Sequence, residues 1–383
     1  MITPRPPRRV ARTAAAALVG AVALAGCSGE QNWFDPAGPE ARQIDNLQKP
    51  VFAIAGVVLV VVVAVVAVIL VKFNGKKRDA VPKQIHGHPK LEIMWTLAPA
   101  LLLAVIAVPT IATIFSLAEK PENPVKITVI GQQWWWEYDY PGLGIITANE
   151  MVIPAGTPVE LSITSRDVIH SFWIPRLNGK KDAVPNRVHF LKMQADEPGV
   201  YWGQCTEFCG LSHANMRMRV VALPQAEYDV WVANMQKPAV SPTDELALLG
   251  EAVFAGQCVR CHQVDGLLDV DGNPLNSQPQ TQLVAGAAPN LTHLMSRETF
   301  AGGTFDLKKP GCENPSSYSS SYPTGTSTEC LNVPDLERWL RNPPAMKPMS
   351  VTPNDDGLIR GMPNLGLSEN QIDQLVAYLA TLK

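Results

Sequence analysis

Two thiols, an imidazole and a thioether crowd into Cys205-Thr-Glu207-Phe-Cys209-Gly-Leu-Ser-His213-Ala-Asn-Met216. Such soft sulfur and nitrogen donors suit copper rather than magnesium or calcium. A structural zinc site would show a second matched pair of ligands and leave the thioether idle. A mononuclear blue-copper site uses one thiolate, so the second is surplus. Two thiolates on one tight turn can instead bridge two copper ions. The competing reading is a Cys205–Cys209 disulfide in an oxidising compartment, which leaves His213 and Met216 without a purpose. A second constellation stands at Cys258-Val-Arg-Cys261-His262. That is the C-x-x-C-H spacing of covalent haem c attachment, in which both thiols bond the haem vinyl groups and the imidazole takes the iron. Met346, Met349 and Met362 offer thioethers for the opposite axial position, and His293 offers an imidazole.

These residues need elements to hold them. The 383-residue chain carries a net charge of only -3, so nothing in its charge favours nucleic acid. Val51 to Val71 is uninterruptedly apolar, and Ile93 to Ala118 is a second stretch without a charged residue. Each is long enough to span a bilayer core of about 30 Å at 1.5 Å per residue. Lys72, Lys76, Lys77, Arg78 and Lys83 lie between them, which places this short turn on the cytoplasmic side and both chain ends outside. Arg5, Arg8, Arg9 and Arg12 precede a short Ala-rich apolar run ending in Leu24-Ala25-Gly26-Cys27. The pattern is that of an export signal, and the last four residues resemble a lipoprotein processing site with Cys27 as the lipidated residue.

From about Pro124 to Leu223, Lys126 to Gln133, Val159 to Ser165 and Arg217 to Ala222 are β-rich, and Pro–Gly breakers separate them. Short strands so punctuated predict a β-sandwich or barrel. Gln225 to Met235 has a helical pattern, and Lys237 to Pro242 is a linker. Glu245 to Ala255 and Glu369 to Leu382 then have helical spacing, the second opening at a Ser368 N-cap.

The copper-suited loop resembles that of the haem–copper oxidase subunit II family, over roughly Gln43 to Leu223. Arg166-Asp167-Val168-Ile169-His170-Ser171-Phe172, Gln132-Gln133-Trp134-Trp135-Trp136-Glu137-Tyr138 and Leu91-Glu92-Ile93-Met94-Trp95 match further motifs of that family. The resemblance implies a binuclear CuA centre. Cys205 and Cys209 bridge, His170 and His213 each take one copper, and Met216 and the Glu207 carbonyl are weak ligands. It also implies that the Glu207 carboxylate reaches a magnesium ion shared with subunit I. Trp134 receives electrons, and Glu92 stands near the entrance of a proton path. After Leu223 the chain resembles a class I cytochrome c. Pro289 of Ala288-Pro289-Asn290 would then orient His262, and Met362 of Gly361-Met362-Pro363 would be the distal ligand. Cys312 and Cys330 lie in an excursion between Asn290 and Trp339 that departs from that family. With the other five cysteines assigned, they are expected to form a disulfide.

The resulting expectation is a multidomain membrane protein: a two-helix transmembrane hairpin, a cupredoxin-like β-barrel and an all-α cytochrome c domain. Its boundaries are a lipoprotein signal peptide at 1–26, an extracytoplasmic segment at 27–49 and a hairpin at 50–120, with spans near 51–72 and 93–118. A copper domain at 121–224, a linker at 225–243 and a haem domain at 244–383 complete it. The resemblance implies a respiratory electron relay in a bacterial plasma membrane, with oxidase subunits I and III as partners and cytochrome c or a cytochrome bc complex as donor. Two rivals are a CuA-containing nitric oxide reductase and a Sco-type copper chaperone. The chaperone would lack the second span, Met216 and the haem motif. A quinol oxidase subunit would lack the copper ligands.

Overall fold

Apolar side chains all round a helix leave no polar face, so such a helix must be surrounded by lipid or by other apolar helices. The computed structural model describes residues 29–73, 84, 86–267, 287–312, 328–350 and 360–383, and it forms two such helices. The expected export signal, Cys27, and Lys76, Lys77, Arg78 and Lys83 lie outside the described residues. Helix α1 is Pro39–Lys72 and α2 is Pro89–Ala118. Helix α1 begins well before the apolar run and passes through Pro50. Its polar first turns are held by the β domain: the Ala41 N–H donates to the Leu177 carbonyl, and Arg42 pairs with Asp196. At the far end of α2, Lys192 donates to the Ser116 carbonyl, which also accepts from the Glu119 N–H that caps the helix. Both spans are thereby fixed to the β domain.

That domain has two sheets. Strands β1 (Val125–Gln132), β2 (Trp135–Tyr140), β3 (Ile145–Ala148), β5 (Val159–Ser165) and β8 (His189–Met193) form one, in the order β3-β2-β1-β5-β8. The other is β4 (Glu150–Pro154), β10 (Arg217–Leu223) and β9 (Gly199–Gln204), in the order β4-β10-β9. Strand β5 shows why they pack. Val159, Leu161 and Ile163 are buried, while Glu160, Ser162 and Thr164 between them face outward, as a period of two requires. The β1–β5 and β4–β10 pairs are parallel and the remaining pairs antiparallel. Trp136, Tyr138 and Tyr140 are fully buried, and the Tyr140 hydroxyl bonds to both backbone groups of Val152. A short ribbon, β6 (His170–Phe172) with β7 (Lys181–Ala183), lies at the rim. Helix α3 (Gln225–Met235) packs Trp231 against Tyr140, with ring centroids 5.3 Å apart.

In the C-terminal domain α4 (Glu245–Gln257) crosses α7 (Glu369–Leu379). Gly250 permits the close crossing, because a Cβ there would collide with the Gln374 carbonyl. Asp244 caps α4, and Ser368 with Gln371 forms a capping box on α7. Two further helices, α5 (Val333–Arg341) and α6 (Pro343–Met346), and a hairpin of β11 (Thr299–Phe300) and β12 (Phe305–Asp306) lie between them. Cys312 and Cys330 are joined by a disulfide.

Candidate metal centres

Cys205 is the first residue beyond β9, and Met216 is the last before β10. The Cys205 N–H donates to the Met216 carbonyl, so the antiparallel β9–β10 pairing closes the base of the loop that carries both. The Thr206 N–H donates to the Ser171 carbonyl and draws the loop against β6, where His170 is the first residue. Gly131 of β1 leaves room for that imidazole, since a Cβ would fall 2.8 Å from its ring. Trp136 packs behind it, with ring centroids 5.8 Å apart.

The side chains converge. Cys205 Sγ lies 3.8 Å from Cys209 Sγ and 3.9 Å from His170 Nδ1. Cys209 Sγ is 3.6 Å from His213 Nδ1 and 3.8 Å from Met216 Sδ. The Glu207 carbonyl is 3.3 Å from Cys205 Sγ. Cys205, Cys209, His170 and Met216 are all buried. The two thiols are free. Metal–sulfur bonds of about 2.3 Å at tetrahedral angles give a sulfur–sulfur edge of about 3.8 Å. The observed spacing therefore fits thiolates sharing metal ions, and it excludes the Cys205–Cys209 disulfide from this structure.

Electrostatics agree with the donor set. The Cys205 thiol is held well below its ordinary range, chiefly by a hydrogen bond from Cys209 and against the opposing effect of burial. The Cys209 thiol is raised in turn by the same hydrogen bond to Cys205 and by burial. Burial lowers the affinity of His170 for a proton, but the Asp167 carboxylate, 2.8 Å from Nε2, outweighs it with help from Cys205. Asp167 also accepts from the Gln133 N–H at 2.7 Å. Since the carboxylate can only accept, it holds the His170 proton at Nε2 and leaves Nδ1 free for a metal.

Trp134 lies in the turn between β1 and β2 and is 3% exposed. Its indole N–H donates to the Cys209 carbonyl at 3.0 Å, as does the Gln133 amide at 2.7 Å. Trp135 and Trp136, on opposite faces of β2, are also buried. Glu207, Phe208 and Leu211 of the same loop are exposed. Glu92 is exposed in the first turn of α2.

The haem motif comes directly after α4. His262 is half-buried, desolvation lowers its proton affinity, and Nδ1 lies 2.8 Å from the Pro289 carbonyl. A carbonyl only accepts, so Nδ1 carries the proton and Nε2 presents its lone pair. That is the form an iron ligand needs. Cys258 is buried and Cys261 half-buried, and both are free. Met362 packs against the domain core beside Gly361, whose φ is 94°. His293 Nδ1 is engaged by the Lys383 carbonyl at 2.8 Å.

Sequence reasoning missed the residues that join the two centres. Asp167 is visible in the His170 motif but has no role there by sequence alone. Its signal is a carboxylate three residues before a ligand-type histidine. Glu150, Lys347 and Arg360 carry no local signal.

Comparison with known proteins agrees with these features. Residues 27–113 match the cytochrome c oxidase subunit II transmembrane domain, residues 144–223 its periplasmic domain, and residues 247–383 cytochrome c. A cytochrome c oxidase subunit 2 from Alkalihalophilus pseudofirmus is 37% identical over 371 residues, covering 94% of each chain. One from Bacillus sp. strain PS3 is 35% identical, covering 80% of this chain and 78% of its own. The solved periplasmic domain of subunit II of cytochrome oxidase from Bradyrhizobium japonicum is 30% identical, covering 30% of this chain and 96% of its own, with a TM-score of 0.30.

Proposed function

The chain belongs to the cytochrome c oxidase subunit II family, with a cytochrome c domain fused at its C-terminus, and we propose that it relays electrons to subunit I. The observation that carries this reading is the convergence of Cys205, Cys209, His170, His213 and Met216 in one cluster, in a chain that also bears the Cys258–Cys261–His262 motif. When bound, CuA and haem c supply one-electron redox chemistry, with no bond formed or broken.

The protein's own residues set the geometry of that chemistry. Cys205, Cys209, His170 and His213 would hold the copper pair, with Met216 and the Glu207 carbonyl as weaker donors. Cys258 and Cys261 would anchor haem c, and His262 and Met362 would offer ligand atoms to its iron. Asp167 and Pro289 lock the two inner imidazoles in the required tautomers. Ligands fixed by packing and hydrogen bonds move little when charge changes, which favours fast transfer.

With both groups bound, the chain would accept electrons from cytochrome c or a cytochrome bc complex. Trp134, whose indole donates to the Cys209 carbonyl, would lie on the way to subunit I, where oxygen would be reduced to water with proton pumping. Exposed Phe208 and Leu211 flank Glu207 and supply an apolar contact for subunit I, with the Glu207 carboxylate on a shared magnesium ion. Subunit III completes the complex, and Glu92 stands at a proton path. The protein resides in a bacterial plasma membrane with both ends outside, lipid-anchored at Cys27.

Membranes carrying the assembled oxidase test the route. A Cys258→Ala/Cys261→Ala variant should lose oxygen uptake driven by a protein donor, yet keep uptake driven by a small mediator that reduces copper directly. Undiminished uptake from the protein donor would contradict it.

A further inference from the structure

The described residues of the excursion between Asn290 and Trp339 include a segment that packs on the copper domain. This segment is Glu298 to Lys308. The Glu150 carboxylate, at the start of β4, accepts from the backbone N–H of Glu298 at 3.0 Å and of Thr299 at 2.8 Å, and from the Thr299 hydroxyl at 2.6 Å. Arg219 of β10 pairs with Glu150 at 2.7 Å and with Glu298 at 3.1 Å, and Lys308 stands 3.6 Å from Glu298. Two carboxylates thus face two cations, all buried or nearly so. The hairpin tip continues the seam. The Arg217 N–H donates to the Gly302 carbonyl and the Thr304 hydroxyl to the Asn215 carbonyl, each at 2.9 Å.

Three more contacts end on the surroundings of the copper ligands. Lys347 is 3% exposed and donates to the Trp134 carbonyl at 2.7 Å and the Ala301 carbonyl at 2.9 Å. The Ser212 hydroxyl, beside His213, donates to the Pro348 carbonyl. Arg360, two residues from Met362, lies 3.7 Å from the carboxylate of Asp167, which holds His170.

We propose that the segment from Glu298 to Lys308, with Lys347 and Arg360 as positioning residues, is a permanent clamp that makes the haem and copper domains one rigid redox unit. The reading rests on the proposed electron relay for its purpose, but the clamp itself is a matter of structure. A docked, desolvated seam with paired charges does not open readily, because each separated group would leave a buried partner unsatisfied. Trp134 is covered by this seam, so an outside protein donor has no access to it and must reduce haem c instead. One electron then leaves ferrous haem iron, which becomes ferric, and reduces the copper pair by one. No docking equilibrium intervenes.

The test uses the full-length, detergent-solubilised holoprotein with a protease site inserted after Val240, in the exposed linker. After cleavage the haem domain should stay with the copper domain on gel filtration, and it should dissociate in a Lys347→Met/Arg360→Gln variant. Haem and copper absorption spectra report whether each domain remains folded. Flash-induced electron transfer from haem c to copper should be independent of viscosity in the uncut wild type. In the variant it should slow by roughly tenfold and become viscosity-dependent, and Arg360→Lys alone should retain near-wild-type transfer. Dissociation of the cleaved wild type with both spectra intact would overturn the clamp. So would viscosity-dependent transfer in the uncut wild type, or a variant that behaves as wild type. Absence of the copper or haem spectrum in the wild type would instead overturn the proposed relay.

Discussion

At Met216 a thioether stands 3.8 Å from Cys209 Sγ and more than forty positions before the haem motif at Cys258 in sequence. Met216→Leu keeps the buried volume and removes only the weak sulfur donor. The copper absorption and magnetic spectra should shift while the haem α-band stays unaltered, and the reverse pattern would reassign the ligands. Lys347 offers a second test at this scale. Burial lowers its ammonium from 10.5 to about 7. Between those values the unfolded chain binds a proton that the folded chain does not, so this residue's contribution to stability rises with pH across that window. The thermal midpoint of wild type should therefore climb from pH 7 to 9 relative to Lys347→Met, and parallel curves would contradict the assignment.

Elements show how much a sequence can reveal. The cysteine spacings were readable because ligand sets on one turn are local, and β5 was readable because one buried face imposes a period of two. The first turns of α1 were not, since their helical course depends on contacts with Leu177 and Asp196 far along the chain. Nor were α5 and the β11–β12 hairpin, which have short patterns and are stabilised by docking. The Cys312–Cys330 link closes a loop whose ends are 18 residues apart. Cys312→Ser/Cys330→Ser should lower the unfolding free energy of the haem domain by about 3 kcal/mol. Its haem absorption should not change, and a loss of haem would give the bridge a role in attachment.

For the molecule as a whole, the proposed relay depends on the joint between the two domains. That joint was illegible in the sequence because Lys347 and Trp134 are 213 positions apart, and Glu150 and Glu298 are 148. Neither pair leaves a periodic trace. Glu150→Gln removes one charge from the balanced cluster with Arg219, Glu298 and Lys308. Breaking a buried pair in this way should destabilise the holoprotein by about 3–5 kcal/mol in denaturant titrations, whereas a change within about 1 kcal/mol would make the cluster peripheral. The relay depends most on Cys205 and Cys209 sharing metal. Copper and haem analysis of purified full-length protein, combined with paramagnetic resonance, tests this directly. The account predicts two copper ions and one haem c per chain, with hyperfine splitting from two equivalent copper nuclei. A single copper ion, or a Cys205–Cys209 disulfide in its place, would contradict it.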